Sequence, residues 1–416
     1  MPTFETTGSP RRRHVLARMG AATVAGLAGA RPGRAQAAPL RIGVISDQSG
    51  PYRGTGGPGS VAGARLAVSD FGGSVLGRPI EILVGDHQNK PDVGAAIVRR
   101  WLDAERVDAI TDGGSSAVAI AIQELTRERK RLFLITGSTS SVFTGAQCSP
   151  TGFQWMTDTY STATSAARAQ LERGRKTFFH LTVDYTYGHD LDRFATASIE
   201  AGGGRVLGRT RFPLGTADFS SELLQARSSK ADVVVFNGSG TDAVNALKQA
   251  QEFGMMREQV FTMTSLIISD LEGMGLEVAQ GLTWATSFYW DRNAACRAWT
   301  ARFLQLHKQT PTRLHAGTYS AVLHYLGAVK AANTDAGPEV AARIQATKLQ
   351  DALFEGAAIR WDGRVMLDQY LMRTKAPGES RGPMDYAEIV GTIPAEQAYR
   401  PISEGGCPFL PAGRRG

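Results

Sequence analysis

Two successive series of short, β-branched apolar runs, each run followed by a longer helical stretch, most limit what this chain can fold into. In the first series, residues 41–46 (RIGVIS), 80–84, 107–111 and 132–136 read as strands. Helices are expected between them over 63–71, 93–103 and a stretch that runs through Leu125. The second series has strands at 177–182, 205–212, 232–236 and 259–263, with helices at 190–200, 220–226 and 243–253. Strands that alternate with helices build a mostly parallel sheet covered on both faces. The expected class is therefore α/β, with two doubly wound units. The length agrees, because 416 residues exceed what one ordinary core organises.

The stretch 137–159, rich in Ser, Thr and Gly, separates the two series, and its end reads as the first connection between the units. Later helices are expected at 296–307, 318–332 and 340–353, and a late strand at 384–392. A helical return followed by a strand implies that the chain crosses between units more than once. Several parallel crossings make a hinge.

Charge is concentrated at one end. The formal net charge is +7, but residues 1–37 hold Arg11, Arg12, Arg13, Arg18, Arg31 and Arg34 against Glu5, which leaves about +2 for the rest. No basic face with interleaved aromatics stands out, so nucleic acid is not an expected partner. The basic cluster leads into mildly apolar residues 15–30 and then the small residues Ala35-Gln36-Ala37, the build of an export signal. Arg12-Arg13-His14-Val15-Leu16 is similar to a twin-arginine signature, and the general secretory route stays open beside it. The mature chain is expected to begin near Ala38 as a soluble periplasmic protein, with no membrane insertion after cleavage. No Cys near that point offers a lipid anchor. Cys148, Cys296 and Cys407 allow at most one internal disulfide. Cys148 and Cys407, both in Pro- and Gly-flanked loops, are the candidate pair, and their pairing is open at this point.

In doubly wound sheets ligands sit outside the carboxyl ends of the strands, where loops enter helices. Residues 113–116 and 137–140 are two such junctions, and they present Ser115, Ser116, Ser138 and Ser140. Hydroxyls and free backbone N–H groups at helix starts suit a carboxylate. The alternative for these serines is ordinary helix capping. Ser239, within Asn237-Gly238-Ser239-Gly240, occupies a further strand-to-helix turn, and Tyr52 is a candidate lid residue in the first loop.

Several of these segments resemble a known family, the type I periplasmic binding proteins of the leucine/isoleucine/valine-binding branch. The resemblance rests on Ser49-Gly50-Pro51 with Gly63-Ala64-Arg65-Leu66-Ala67, on Gly114-Ser115-Ser116, on Ile135-Thr136-Gly137-Ser138-Thr139-Ser140, and on Asp184-Tyr185-Thr186-Tyr187-Gly188. They occur in order within residues 41–392. The resemblance implies two lobes joined by a three-segment hinge, lobe 1 spanning 40–156 plus 288–356 and lobe 2 spanning 157–287 plus 357–410. It implies a monomer that captures a small organic ligand, an amino acid or an aromatic or branched carboxylate or amide. The ligand would pass to the permease and ATPase of an ATP-binding-cassette importer. It also implies that Tyr187 is an aromatic ligand contact, with Tyr185 next in line.

The chain departs from the family's pattern at one place. Amino-acid binders carry an acidic residue after the strand at 261–263 to hold the ligand ammonium, and here Thr264-Ser265-Leu266 stands instead. Asp242 is expected to face elsewhere. Trp284, Phe288, Tyr289 and Trp290 cluster near the second crossing and read chiefly as hinge packing. An enzyme finds no support: the seven histidines show no paired metal-ligand spacing, and no nucleophile elbow or dinucleotide fingerprint is present. No cofactor or metal is expected. A ligand-sensing module for a separate signalling partner is the other reading of the same fold.

Overall fold

Strand β1 (Leu40–Ser46) is buried at every side chain but that of Arg41, as a mainly apolar run in a sheet covered on both faces requires, and lies in the middle of a six-stranded sheet. Helix α1 (Gly57–Phe71) leads to β2 (Ser74–Val75) and β3 (Arg78–Asp86). Helix α2 (Pro91–Asp103) leads to β4 (Ala109–Asp112), and α3 (Ser116–Glu128) to β5 (Leu132–Ile135) and then β6 (Gly152–Gln154). The order is β2-β3-β1-β4-β5-β6, parallel throughout except for the β2–β3 ribbon. The computed structural model describes residues 38–411, and the export signal expected over 1–37 lies outside them.

Helix α4 (Thr159–Glu172) opens the second body, and a reciprocal cap between Asp158 and Ser161 fixes its start. Strand β7 (Thr177–Val183), α5 (Thr186–Ala201), β8 (Arg205–Phe212) and α6 (Ser220–Ser228) follow. Then come β9 (Val233–Asn237), α7 (Thr241–Glu252) and β10 (Val260–Met263). These four strands form a parallel sheet in the order β10-β9-β7-β8. Helices α8 (Ile268–Met274) and α9 (Leu276–Ala279) run into β11 (Thr283–Thr286), the edge of an antiparallel sheet with β12 (Gln369–Thr374) and β13 (Ala387–Ile393).

Between β11 and β12 the chain returns to the first sheet as α10 (Ala294–Leu306), α11 (Arg313–Ala332) and α12 (Gly337–Ala346). Helix α11 packs closely on α1 because Gly63 has no side chain: a Cβ there would lie 2.6 Å from the carbonyl oxygen of His315. Two apolar cores result. One gathers Ile42 and Val44 of the first sheet with Phe288, Trp299 and Tyr325, and it extends through Ile359, Val365 and Leu367. The other joins the second sheet to Trp284, Tyr289, Met372 and Ala387, while Trp290 packs against both. The aromatic cluster therefore divides between the two cores at the crossing.

Helix α12 ends at Ala346, short of the expected 353. Asp351 gives the chain another arrangement: its carboxylate accepts the N–H groups of Leu353 at 3.0 Å and Phe354 at 3.1 Å, and the Ser320 hydroxyl at 2.7 Å. A short acceptor that binds its own backbone competes with the helix ladder. After β13, α13 (Ala395–Ala398) leads a tail back toward the first sheet. Arg400 donates to the Ser141 carbonyl at 3.2 Å, and a disulfide joins Cys148 to Cys407.

Candidate functional site

The chain order places the topological switch of the first sheet between β1 and β4, since β3 lies on one side of β1 and β4–β6 on the other. Loops leaving two such strands diverge and open a crevice at their carboxyl ends. The ends of β1, β4 and β5 bring Asp47, Asp112, Ser115, Ser116 and Thr139 to this crevice. The second sheet faces it with Tyr185, Tyr187 and Ser239, and Tyr52 reaches in from the first loop. The cavity they share is about 40 Å³, far below the roughly 300–1,000 Å³ of ordinary ligand pockets. The two bodies stand closed on each other.

Of the residues expected at the site, Tyr52, Ser115, Ser116, Tyr185, Tyr187 and Ser239 line this one cavity. Ser138 and Ser140 do not. Ser138 lies behind the wall and donates to Ser116 Oγ at 3.1 Å. The Ser140 hydroxyl donates to Asp190 of the second body and accepts the N–H of Val142 at 3.4 Å. In an extended turn, neighbouring side chains point opposite ways, so Thr139 faces the cavity in their place.

Ser115 is the N-cap residue of α3, with φ −72° and ψ 149°, yet its side chain makes no cap hydrogen bond. Ordinary capping therefore leaves this hydroxyl unused. Opposite it, the Tyr52 and Tyr185 hydroxyls meet at 2.9 Å, and Tyr187 Oη donates to Ser239 Oγ at 3.3 Å. Burial is the main cause that raises the pKa of all three phenols, so they serve as neutral hydrogen-bonding groups.

Three charged groups at the cavity were not among the expected site residues. Asp47 is fully engaged: it accepts from Gly50 N at 2.7 Å, from Tyr52 N at 2.8 Å and from the Asn89 amide. It holds the Tyr52 loop in place. Arg313, in the first turn of α11 and 3% exposed, donates to the Leu266 carbonyl at 3.1 Å and Ser265 Oγ at 3.2 Å. It thereby ties the first body to the second, and its Nε has no partner. No signal marked it in the sequence, because the helix was expected to start only at 318. In the structure it is a cation in the first turn of α11, where it opposes the helix dipole and needs a compensating role. Asp112 ends β4 with its Oδ1 on the N–H of Gly114 at 2.9 Å. Burial pushes its pKa up to about 6.

Asp242 turns away from the cavity to accept Gly215 N at 3.0 Å, and burial raises it to about 6. Asp270, buried beneath the site, accepts Gly240 N at 3.1 Å and Ile267 N at 3.2 Å, and burial lifts it to about 7. Among the described residues no group of three His, Cys, Asp or Glu side chains is arranged to hold a metal ion.

A family model described as periplasmic binding protein matches residues 39–381. This chain belongs to the periplasmic binding protein family. Within that family it is similar to a solved periplasmic binding protein of Burkholderia mallei, with 39% identity and a TM-score of 0.87, covering 89% of this chain and 99% of that one. It is also similar to a branched-chain amino acid ABC transporter periplasmic ligand-binding protein of Burkholderia xenovorans LB400, with 38% identity, a TM-score of 0.79 and the same coverage. A Leu/Ile/Val-binding protein homolog of Brucella melitensis is 26% identical over 242 residues, 57% of this chain. The chain spans about three fifths (61%) of the length of that curated relative. The type I periplasmic binding fold expected from the sequence is the fold observed.

Proposed function

We propose that this protein captures a small organic acid between its two lobes outside the cytoplasm and presents it to the permease and ATPase of an ATP-binding-cassette importer. The observation that carries the reading is the cavity itself. Ser115, whose hydroxyl makes no cap hydrogen bond, and neighbouring Ser116 at the start of α3 face Tyr185 and Tyr187 of the other body across one shared cavity. A carboxylate placed at α3 would meet hydroxyls, free N–H groups and the positive helix end, and each hydrogen bond to a charged group contributes about 1.5–3 kcal/mol. The tyrosines close over the remainder with a flat apolar face and a polar tip. The ligand classes in best accord are branched-chain amino acids, which the names of similar proteins carry, and aromatic acids, which suit the tyrosine roof.

The lobes we propose are residues 40–156 with 288–367, and 157–287 with 368–394. We place the last crossing after Leu367 rather than after the expected 356, a reading supported by Ile359, Val365 and Leu367, which pack in the first core. Residues 1–37 serve as the export signal, and the released protein acts as a monomer with no cofactor.

A thermal-shift screen of amino acids and aromatic acids tests the reading. A ligand present at one hundred times its Kd stabilises the protein by about 2.7 kcal/mol. At least one acid should raise the melting temperature and bind one to one, and Tyr187→Ala should weaken it tenfold or more. Unchanged affinity in Tyr187→Ala would remove Tyr187 from the site.

A further inference from the structure

Asp112 is a buried group at this site that leaves part of its hydrogen-bonding capacity unused. It is 0% exposed, and one carboxylate oxygen, Oδ1, is held by Gly114 N. The other, Oδ2, closes no hydrogen bond in the protein. The Ser60 hydroxyl stands beside it and, as a weak hydrogen-bonding neighbour, favours its ionised form, but it does not close a full hydrogen bond to Oδ2. An unmade hydrogen bond to a buried carboxylate is costly, and such a group in a native site calls for an explanation.

The backbone carries the same message. Asp112 has φ +79°, in the left-handed region, and Gly113 and Gly114 follow at +86° and +53°. A non-glycine residue held there costs on the order of 1–3 kcal/mol. Its surroundings are also cut to fit: a Cβ at Gly137 would lie 1.9 Å from Oδ1, and one at Gly56 would lie 3.2 Å from Oδ2. Asp47, the neighbouring acid, shows the contrast, because loop N–H groups and Asn89 occupy both of its oxygens. Arg313 Nε is the matching unsatisfied donor on the same cavity, 3% exposed and without a partner.

We propose that Asp112 is a ligand-binding residue that selects acids carrying a second polar group, an ammonium or a hydroxyl that donates to its Oδ2. The proposal rests on the cleft-binding reading above and narrows it. A plain carboxylate would bring a further negative charge beside Asp47 and Asp112 with only Arg313 to offset it. A donor on the ligand turns that repulsion into a charge-assisted hydrogen bond.

The test compares matched acids by calorimetric titration on the intact mature protein. One series is leucine, leucic acid and isocaproate, bearing an ammonium, a hydroxyl and neither at the same carbon. The other is para-aminobenzoate, para-hydroxybenzoate and benzoate. In the series that binds, the proposal expects a donor-bearing member to bind at least tenfold tighter than the plain acid, and the better of the two donors identifies the group. Asp112→Asn keeps an oxygen for Gly114 N and turns an amide N–H₂ toward the cavity, so it should bring that ratio to within about threefold by weakening the donor-bearing acid. Equal affinities in the unaltered protein would overturn the proposal, as would a ratio that survives Asp112→Asn, and the first comparison needs no variant to fold. If no member of either series binds, the same comparison is made on the acid the thermal-shift screen identifies and its analogue without the donor. Only a screen in which no acid binds ends the cleft-binding reading, and this proposal falls with it.

Discussion

At the scale of single residues, the site is organised around a buried carboxylate and the space left for it. Gly137 illustrates the constraint, because its missing side chain is where Asp112 Oδ1 sits, 1.9 Å from the nearest possible Cβ. Gly137→Ala is expected to cost more than the 1–3 kcal/mol of ordinary overpacking and to lower the melting temperature by several degrees. A variant as stable as the parent would show that Asp112 moves freely. Burial raises the folded-state pKa of Asp112 to about 6, against about 3.9 in an unfolded chain. Both states are protonated at low pH. As pH rises from 4 to 7, the folded state must bury a charge, which costs roughly 3 kcal/mol by linkage. Asp112→Asn escapes this cost, so its melting temperature relative to the parent should rise across that window and level off above it. A difference independent of pH would contradict the burial of an ionised Asp112.

At the scale of elements, most strands of the two parallel sheets were legible because apolar runs such as 42–45 and 233–236 have few alternatives to a buried parallel strand. The short β6, β11 and β12 and the order of strands in each sheet were not. Helix α4 was not legible: its residues TYSTATSAARAQLE favour local side-chain bonds, and Asp158 and Ser161 decide its start through a reciprocal cap. Residues 137–140 show the same limit at the site. The sequence marked the turn as a ligand-facing junction, but the alternation that turns Thr139 inward and Ser138 outward depends on how β5 exits the sheet. Asp112 and Arg313 were missed because burial, not residue type, gives them their weight. The Cys148–Cys407 bridge closes a long chain segment and anchors the tail beyond α13. Replacing both cysteines by serine should cost about 2–5 kcal/mol and release the tail to proteolysis. Ligand affinity should persist, because neither cysteine lines the cavity. Loss of binding with retained folding would tie the tail to the site.

At the scale of the whole molecule, the two bodies are held closed by a few polar contacts across the crevice. Tyr52 meets Tyr185, Arg313 reaches Ser265 and Leu266, and Ser140 bonds Asp190. These contacts fix the orientation of the closed form, and a ligand that touches both lobes adds to them and shifts the population toward closure. Arg313→Gln removes the charge and one arm of the fork, so the unliganded variant should show a larger radius of gyration by small-angle scattering than the parent. An unchanged radius would mean that Arg313 takes no part in closure. The most direct measurement is the structure of the protein crystallised with the tightest acid from the screen. The account predicts the carboxylate at Ser115 and Ser116 beneath Tyr185 and Tyr187, with both lobes in contact. An acid bound on one lobe alone, or outside the crevice between β1 and β4, would contradict it.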